Sequence, residues 1–174
     1  MDVRFLLPLV VFGTLIVEAL RAAANERVQR ARGGIEPPGD VYAIMRVVYP
    51  AAFLAMLVEG AVGGGAPAPV FMAGAIVFAS AKALKWWAIY TLGRFWTFRV
   101  IVVPGAALVG RGPYRWLRHP NYVAVLGELV GVALMSGAPV SGVTGTATFA
   151  WLLIRRISVE DRALQGSRDH QRGV

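Results

Sequence analysis

Residues 111–122, RGPYRWLRHPNY, form a polar and aromatic cluster between long apolar stretches. Three arginines, one histidine and two tyrosines fall within these twelve positions. Guanidinium groups donate to carboxylates and phosphates, and aromatic faces stack on planar rings or cations. The cluster therefore suits an anionic or zwitterionic ligand from the cytosol. Composition alone favours the other interpretation, a basic stop signal with interfacial aromatic residues.

Two prolines restrict the backbone of this cluster. Pro120 suits the first turn of a helix, and a proline favours an extended conformation for the residue before it, here His119. The sequence HPNY is therefore predicted to form a rigid turn that leads into the next helix.

Glu128 is the acidic residue that stands out within the apolar stretch that follows. An uncompensated carboxylate in a membrane helix costs about 2.5–3.5 kcal/mol on insertion scales. We expect Glu128 either to pair with an Arg or Lys of a neighbouring helix or to act in the chemistry, and both readings stay open. Glu18 and Glu59 lie nearer the predicted helix ends, where a structural role is expected.

The composition indicates a membrane-embedded chain. Of the 174 residues, 56% are hydrophobic, and the mean hydropathy is +0.56, whereas soluble domains are ~45–50% apolar. With no cysteine and two histidines, the chain lacks the ligands for a metal site. Its net charge of +8 lies beside apolar stretches and forms no continuous basic face, so nucleic acid is not expected as a partner.

Five apolar stretches are predicted to be membrane helices, because about 17–25 such residues span the bilayer core. They cover about 5–24, 41–62, 70–92, 122–135 and 140–154. We therefore predict a single all-α membrane domain over residues 1–174, with about five transmembrane helices and a cytosolic C-terminal helix. The last two stretches are short, and they are predicted to form a helical hairpin or a re-entrant pair.

Basic residues in the connections predict the orientation. Arginines concentrate in segments 25–40 and 93–121 and directly after Ile154, whereas the connections GGGAPAP and SGAPVSG carry no charge. Cytoplasmic flanks carry the excess of Lys and Arg, so the N-terminus is predicted outside and the C-terminus inside. The long basic side chains in the helices are expected to reach the cytoplasmic interface, and these are Arg21, Arg46, Lys82 and Lys85.

Three ordered motifs resemble a known family. They are LGRFWTFRV at 92–100, GPYRWLRHPNY at 112–122 followed by Gly131, and RISVEDRAL at 156–164. Together they look like the C-terminal half of the isoprenylcysteine carboxyl methyltransferase family of integral membrane methyltransferases. Residues 1–92 match only in hydropathy and are expected to be a helical scaffold, with the cofactor held by residues 93–174.

The resemblance implies an S-adenosylmethionine-dependent methyltransferase whose cofactor enters from the cytosol and whose lipophilic acceptor enters from the bilayer. No soluble nucleotide-binding fold is expected, because GAVGGG lacks the strand and helix that a phosphate-binding loop requires. Six residues that match the family's motifs would line the cofactor pocket: Tyr114, Arg118, His119, Tyr122, Arg156 and Glu160.

Methyl transfer from a sulfonium is an in-line displacement, so alignment of the acceptor and exclusion of water are the main requirements. A carboxylate or acidic enol arrives ionised. A phenol would benefit from a positioned base, for which His119 and Glu128 are the candidate catalytic residues.

Details of the motifs bear on the acceptor. Ala124 stands where eukaryotic family members tend to have Gly, and the chain ends in the polar tail QGSRDHQRGV. The stretch HPNYVAVLGE followed by RISVEDRAL looks like a bacterial subgroup, associated with type III polyketide synthases, that O-methylates alkylpyrones or alkylresorcinols. An O-methyltransferase in a bacterial inner membrane is therefore expected. Carboxyl methylation, phospholipid N-methylation and non-catalytic lipid binding, which Asp161 in place of Glu allows, remain alternatives.

Overall fold

A computed structural model describes residues 6–106 and 109–172, with side chains described as far as residue 162. Its described part contains five α-helices and no strand beyond an isolated antiparallel bridge between Ile35 and Val102. The helices are α1 (Leu7–Ala31), α2 (Tyr42–Val62), α3 (Ala68–Leu92), α4 (Pro120–Ser136) and α5 (Pro139–Arg172). The prediction of an all-α membrane protein is confirmed.

Helices α1, α2 and α3 are long and apolar enough to cross a membrane, and α4 is a shorter apolar helix. The 17 residues of α4 extend about 26 Å, somewhat less than the ~30 Å bilayer core. A turn at Gly137 and Ala138 joins α4 to α5, so these two helices form the predicted hairpin. The structure differs in one respect, because the fifth apolar stretch and the C-terminal helix are one continuous helix of 34 residues.

Glycines allow α3 and α4 to approach closely. A Cβ atom at Gly131 would lie 2.8 Å from the backbone nitrogen of Phe78, and one at Gly74 would lie 2.7 Å from that of Met135. Small residues permit such contacts between membrane helices. Gly131, which belongs to the motif pattern, is therefore explained by packing.

Helix α1 is attached largely through polar side chains. Asn25 donates hydrogen bonds from Nδ2 to the carbonyl oxygens of Gly93 (3.0 Å) and Trp96 (2.8 Å), and Gln29 donates to that of Arg94 (2.9 Å). These bonds satisfy backbone groups in the turn that follows α3. As a result, α1 is fixed to the segment that carries the first motif.

Glu59 has the structural role that its position predicts. Its carboxylate accepts hydrogen bonds from the backbone nitrogens of Val140 (3.0 Å) and Ser141 (2.7 Å). These are the first turn of α5, where backbone N–H groups lack helical partners and a negative charge is favourable.

Five buried or nearly buried side chains from four helices form what we call the inner cluster: Glu18, Tyr49, Lys82, Lys85 and Glu128. Lys82 Nζ lies 2.7 Å from Glu18 and 3.1 Å from Glu128. Lys85 Nζ lies 2.6 Å from Glu18 and 3.2 Å from Glu128. The Tyr49 hydroxyl donates to Glu128 Oε2 at 2.5 Å. Glu128 thus has the basic partners on a neighbouring helix that the structural alternative predicts.

Two expectations about these charges were wrong. Lys82 and Lys85 do not extend to the interface, since their side chains are 13% and 1% exposed and both pair with carboxylates. Glu18 does not lie near a helix end, because α1 continues through polar residues as far as Ala31. Glu18 in α1 and Glu128 in α4 together neutralise the two lysines one turn apart in α3, which removes the need for a lysine to reach the aqueous phase.

Candidate active site

A cavity of about 990 Å³ lies between the helices and the segment that joins α3 to α4. Helices α1 and α2, residues 95–103, the start of α4 and the middle of α5 all contribute to its lining. The six residues predicted to bind a cofactor all line it: Tyr114, Arg118, His119, Tyr122, Arg156 and Glu160. The structure therefore brings together residues from two motifs that lie far apart in the sequence.

The HPNY turn presents a flat aromatic surface at this cavity. Pro120 is the first residue of α4, and His119 precedes it with φ −130° and ψ 63°. The rings of His119 and Tyr122 stack with centroids 5.2 Å apart and planes 14° from parallel. The rigid turn predicted from the two prolines thus holds an imidazole and a phenol side by side.

Tyr122 also connects this turn to α5. Its hydroxyl donates to Glu160 Oε2 at 2.5 Å and accepts from Arg156 Nε at 3.0 Å. Glu160 Oε2 lies 3.7 Å from His119 Nδ1. We call His119, Tyr122, Arg156 and Glu160 the motif cluster.

Arg156 is buried, and protein groups occupy its guanidinium. Besides the Tyr122 hydroxyl, it contacts Asp40 Oδ1 through Nη1 at 3.3 Å and donates from Nη2 to the carbonyl oxygen of Phe98. Asp40 in turn accepts from the backbone nitrogens of Tyr42 and Val100, each at 3.1 Å. Arg156 therefore fixes α5 to the start of α2 and to the segment after α3.

The first motif supports the other two. Trp96 is buried, and its indole Nε1 donates to Asn121 Oδ1 in the HPNY turn at 3.2 Å. Phe98 supplies the carbonyl oxygen that accepts from Arg156. The segment 92–100 thus acts as a brace between the second and third motifs.

Tyr114 and Arg118 lie at the edge of the cavity. Tyr114 belongs to a short 3₁₀ turn over Gly112–Arg115. Burial, together with the charge of Glu160, raises the pKa of Tyr114 above its usual value, so its phenol stays protonated. The side chain of Arg118 is 79% exposed and lies 3.3 Å from Asp161, a weak ion pair of the surface type.

A profile of the "Isoprenylcysteine carboxyl methyltransferase (ICMT) family" matches residues 73–166. The chain belongs to this family. The matched range contains all three motifs, most of α3 and the whole of α4, and it includes the motif cluster.

Two bacterial relatives extend the similarity beyond that range. "Uncharacterized protein YpbQ" of Bacillus subtilis (strain 168) is 33% identical over 144 residues, which cover 83% of this chain and 86% of the relative. An "Uncharacterized protein" of Haemophilus influenzae is 23% identical over 141 residues, covering 80% and 82% of the two chains. No solved structure gives a significant match.

In this member of the family, the N-terminal half supplies more than a scaffold. Asp40 holds Arg156, and Tyr49 of α2 lines the cavity together with Lys85 of α3. Sequence reasoning missed these three residues. A usable signal existed for Lys85, because a lysine deep in an apolar helix requires a carboxylate partner, but nothing distinguishes Asp40 from the other polar residues of its loop.

Glu128 is placed differently from the other predicted site residues. Among the described residues that line the cavity, its neighbours Tyr49 and Lys85 are present and Glu128 is not. Its side chain is 1% exposed. Glu128 would therefore act on a ligand in the cavity only through a neighbour such as Tyr49 or Lys85, and its catalytic role stays a prediction.

Proposed function

We propose that this chain is an S-adenosylmethionine-dependent O-methyltransferase for a lipophilic hydroxyl compound dissolved in the bilayer. Its membership of a family of membrane methyltransferases supports the reaction class. The observation that carries the proposal is the hydrogen bond between Tyr122 and Glu160, 38 positions apart, at the polar end of a cavity whose remaining walls come largely from apolar helices.

The residues of the motif cluster fit the chemistry of the cofactor. S-adenosylmethionine supplies an activated methyl group together with an adenine ring, ribose hydroxyls, an amino group and a carboxylate. The stacked rings of His119 and Tyr122 suit the adenine or the sulfonium. The partly exposed carboxylate of Glu160 suits hydroxyl or amino donors. Tyr114 offers a neutral phenol beside them.

The two arginines would take different parts. The guanidinium of Arg156 has protein acceptors on three of its nitrogens, so we assign it to holding Tyr122 in place beside the cofactor. The side chain of Arg118 is 79% exposed and pairs with Asp161 at 3.3 Å, so it can turn toward the cofactor carboxylate. His119 is the base that lies nearest to the proposed cofactor site.

The other side of the cavity suits a long apolar acceptor. Its lining there includes Leu15, Ala19, Phe149 and Leu153, which offer no hydrogen-bonding side chains. The stretches HPNYVAVLGE and RISVEDRAL support an alkylpyrone or alkylresorcinol hydroxyl as the acceptor. The excess of arginine in the segment after α3 supports a cytosolic position for the motif cluster, with the N-terminus outside.

The test uses the full-length protein purified in detergent. We expect S-adenosylmethionine and its demethylated product to release heat on binding in a calorimeter. Methyl-labelled cofactor should then transfer its label to an alkylresorcinol or alkylpyrone, recovered in an organic extract. Label on a prenylcysteine analogue instead would identify a carboxyl methyltransferase. Absence of cofactor binding would refute the proposal and favour a lipid-binding protein.

A further inference from the structure

Tyr49 is the point at which the cavity meets the inner cluster. Its ring is held by Phe53, with centroids 4.7 Å apart, and by Phe149 at 4.9 Å. Its hydroxyl donates to Glu128 Oε2 at 2.5 Å, and the residue lines the cavity. The phenol is therefore fixed in position between a buried carboxylate and the space open to a ligand.

The inner cluster lies beyond the motif cluster along the helices. Glu128 follows Tyr122 by six positions in α4, an axial distance of about 9 Å. In α2, the sulfur of Met45 is 3.9 Å from Arg156 Nη1, and Tyr49 lies one turn further, about 6 Å along the axis. An acceptor oxygen at Tyr49 would thus lie deeper in the same cavity than the motif cluster, and a cofactor held by the motif cluster would have to extend its methyl group toward it.

We propose that Tyr49 takes the proton of the acceptor hydroxyl while it passes its own phenolic proton to Glu128. This inference rests on the proposed function, and it names the step by which a neutral hydroxyl becomes a nucleophile. The acceptor oxygen forms its new bond to the methyl carbon, and the carbon–sulfur bond breaks with its electron pair left on sulfur. The proton that leaves the oxygen ends, by way of Tyr49, on Glu128.

Charge balance in the inner cluster suits it to this transfer. The carboxylates of Glu18 and Glu128 face the ammonium groups of Lys82 and Lys85, so the cluster begins neutral. Protonation of Glu128 gives the inner cluster one positive charge at the moment when the sulfonium loses its positive charge. The site as a whole gains no net charge, which avoids the cost of creating an unpaired charge in an apolar environment.

The test compares two acceptors of different acidity. One is a long-chain phenol that is protonated at the assay pH, and the other is a long-chain nitrophenol that is already ionised. Tyr49→Phe keeps the ring that packs on Phe53 and Phe149 and removes the hydroxyl. We expect it to lower kcat for the protonated phenol by about 10²–10⁴-fold, with kcat for the nitrophenol nearly unchanged. Glu128→Gln should show the same selectivity.

Two controls separate catalysis from folding. Tyr90→Phe makes the same change at an exposed tyrosine of α3 and should leave both rates unchanged. Cofactor binding by calorimetry should be equal in wild type, Tyr49→Phe and Glu128→Gln.

A second readout needs no cofactor and no turnover. The absorbance of a bound long-chain nitrophenol reports its ionisation. At a pH at which the free compound is protonated, a fraction of it should be ionised when bound to the wild type and not when bound to Tyr49→Phe, because only the wild type can pass the proton to Glu128. Equal ionised fractions, or an equal loss of kcat on both acceptors, would overturn the proposal. Wild-type protein that methylates neither acceptor would refute the proposed function itself, and this proposal with it.

Discussion

The motif cluster and the inner cluster repeat one arrangement in two environments. In each, a tyrosine hydroxyl donates to a glutamate at 2.5 Å, Tyr122 to Glu160 and Tyr49 to Glu128. In each, a basic side chain lies close by. The surroundings differ, since the side chain of Glu160 is 28% exposed and that of Glu128 is 1% exposed.

This difference in exposure suits the two glutamates to different roles. The partly exposed carboxylate of Glu160 keeps hydrogen-bonding capacity for a ligand, at little cost in desolvation. The buried carboxylate of Glu128 is tolerated because Lys82 and Lys85 neutralise both it and Glu18. The tyrosine–glutamate pair is therefore suited to binding a ligand where it is partly exposed. Where it is buried, it joins helices and, in the step proposed above, accepts a proton.

The largest expected effect comes from breaking the balance of the inner cluster. Lys85→Met leaves Glu18 and Glu128 with a single ammonium group, Lys82, and removal of one partner from a buried ion pair typically costs about 3–5 kcal/mol. We expect a marked fall in the thermal unfolding temperature in detergent. The double variant Lys85→Met/Glu18→Gln restores the charge balance and should recover part of the loss. Unfolding temperatures equal to wild type would show that the cluster contributes nothing to stability.

Substitutions in the motif cluster should weaken cofactor binding and leave the stability of the fold largely unchanged. We expect His119→Ala and Glu160→Ala each to weaken S-adenosylmethionine binding by about 1.5–3 kcal/mol or more, the range for hydrogen bonds to charged groups. Calorimetry measures the affinity and thermal unfolding checks the fold. Glu36→Gln is the matched control, because Glu36 is an ion-paired carboxylate outside the cavity lining. Normal affinity in both alanine variants would remove the site assignment.

The contrast between the clusters also explains what could be predicted from the sequence. The three motifs resemble those of a known family, so His119, Tyr122, Arg156 and Glu160 could be named in advance as candidates. Their meeting depends on how α5 packs against α4. That packing follows from side-chain contacts across the bundle, which no local pattern encodes.

The inner cluster was harder to foresee, because its members are scattered over four helices. Hydropathy located the apolar stretches well, but it placed Lys82 and Lys85 at an interface on the assumption that a lysine must reach water. A charge can instead be neutralised by a charge on another helix. Only the tertiary fold identifies Glu18 as that partner, and likewise Asp40 as the partner of Arg156.

The smallest expected effect concerns Arg118, at the edge of the motif cluster. Its ion pair with Asp161 spans 3.3 Å, and its side chain is 79% exposed, so water and salt screen it. We expect Arg118→Gln to leave stability unchanged and to weaken cofactor binding by no more than about 1 kcal/mol. Calorimetry at low and high salt should show that the wild type loses affinity as salt rises and that the variant loses less. Arg162→Gln, an exposed arginine of α5, is the control for net charge. A loss of cofactor affinity as large as that of Glu160→Ala would instead identify Arg118 as a principal cofactor ligand. The exposure of a side chain would then be no guide to the strength of its contacts in this protein.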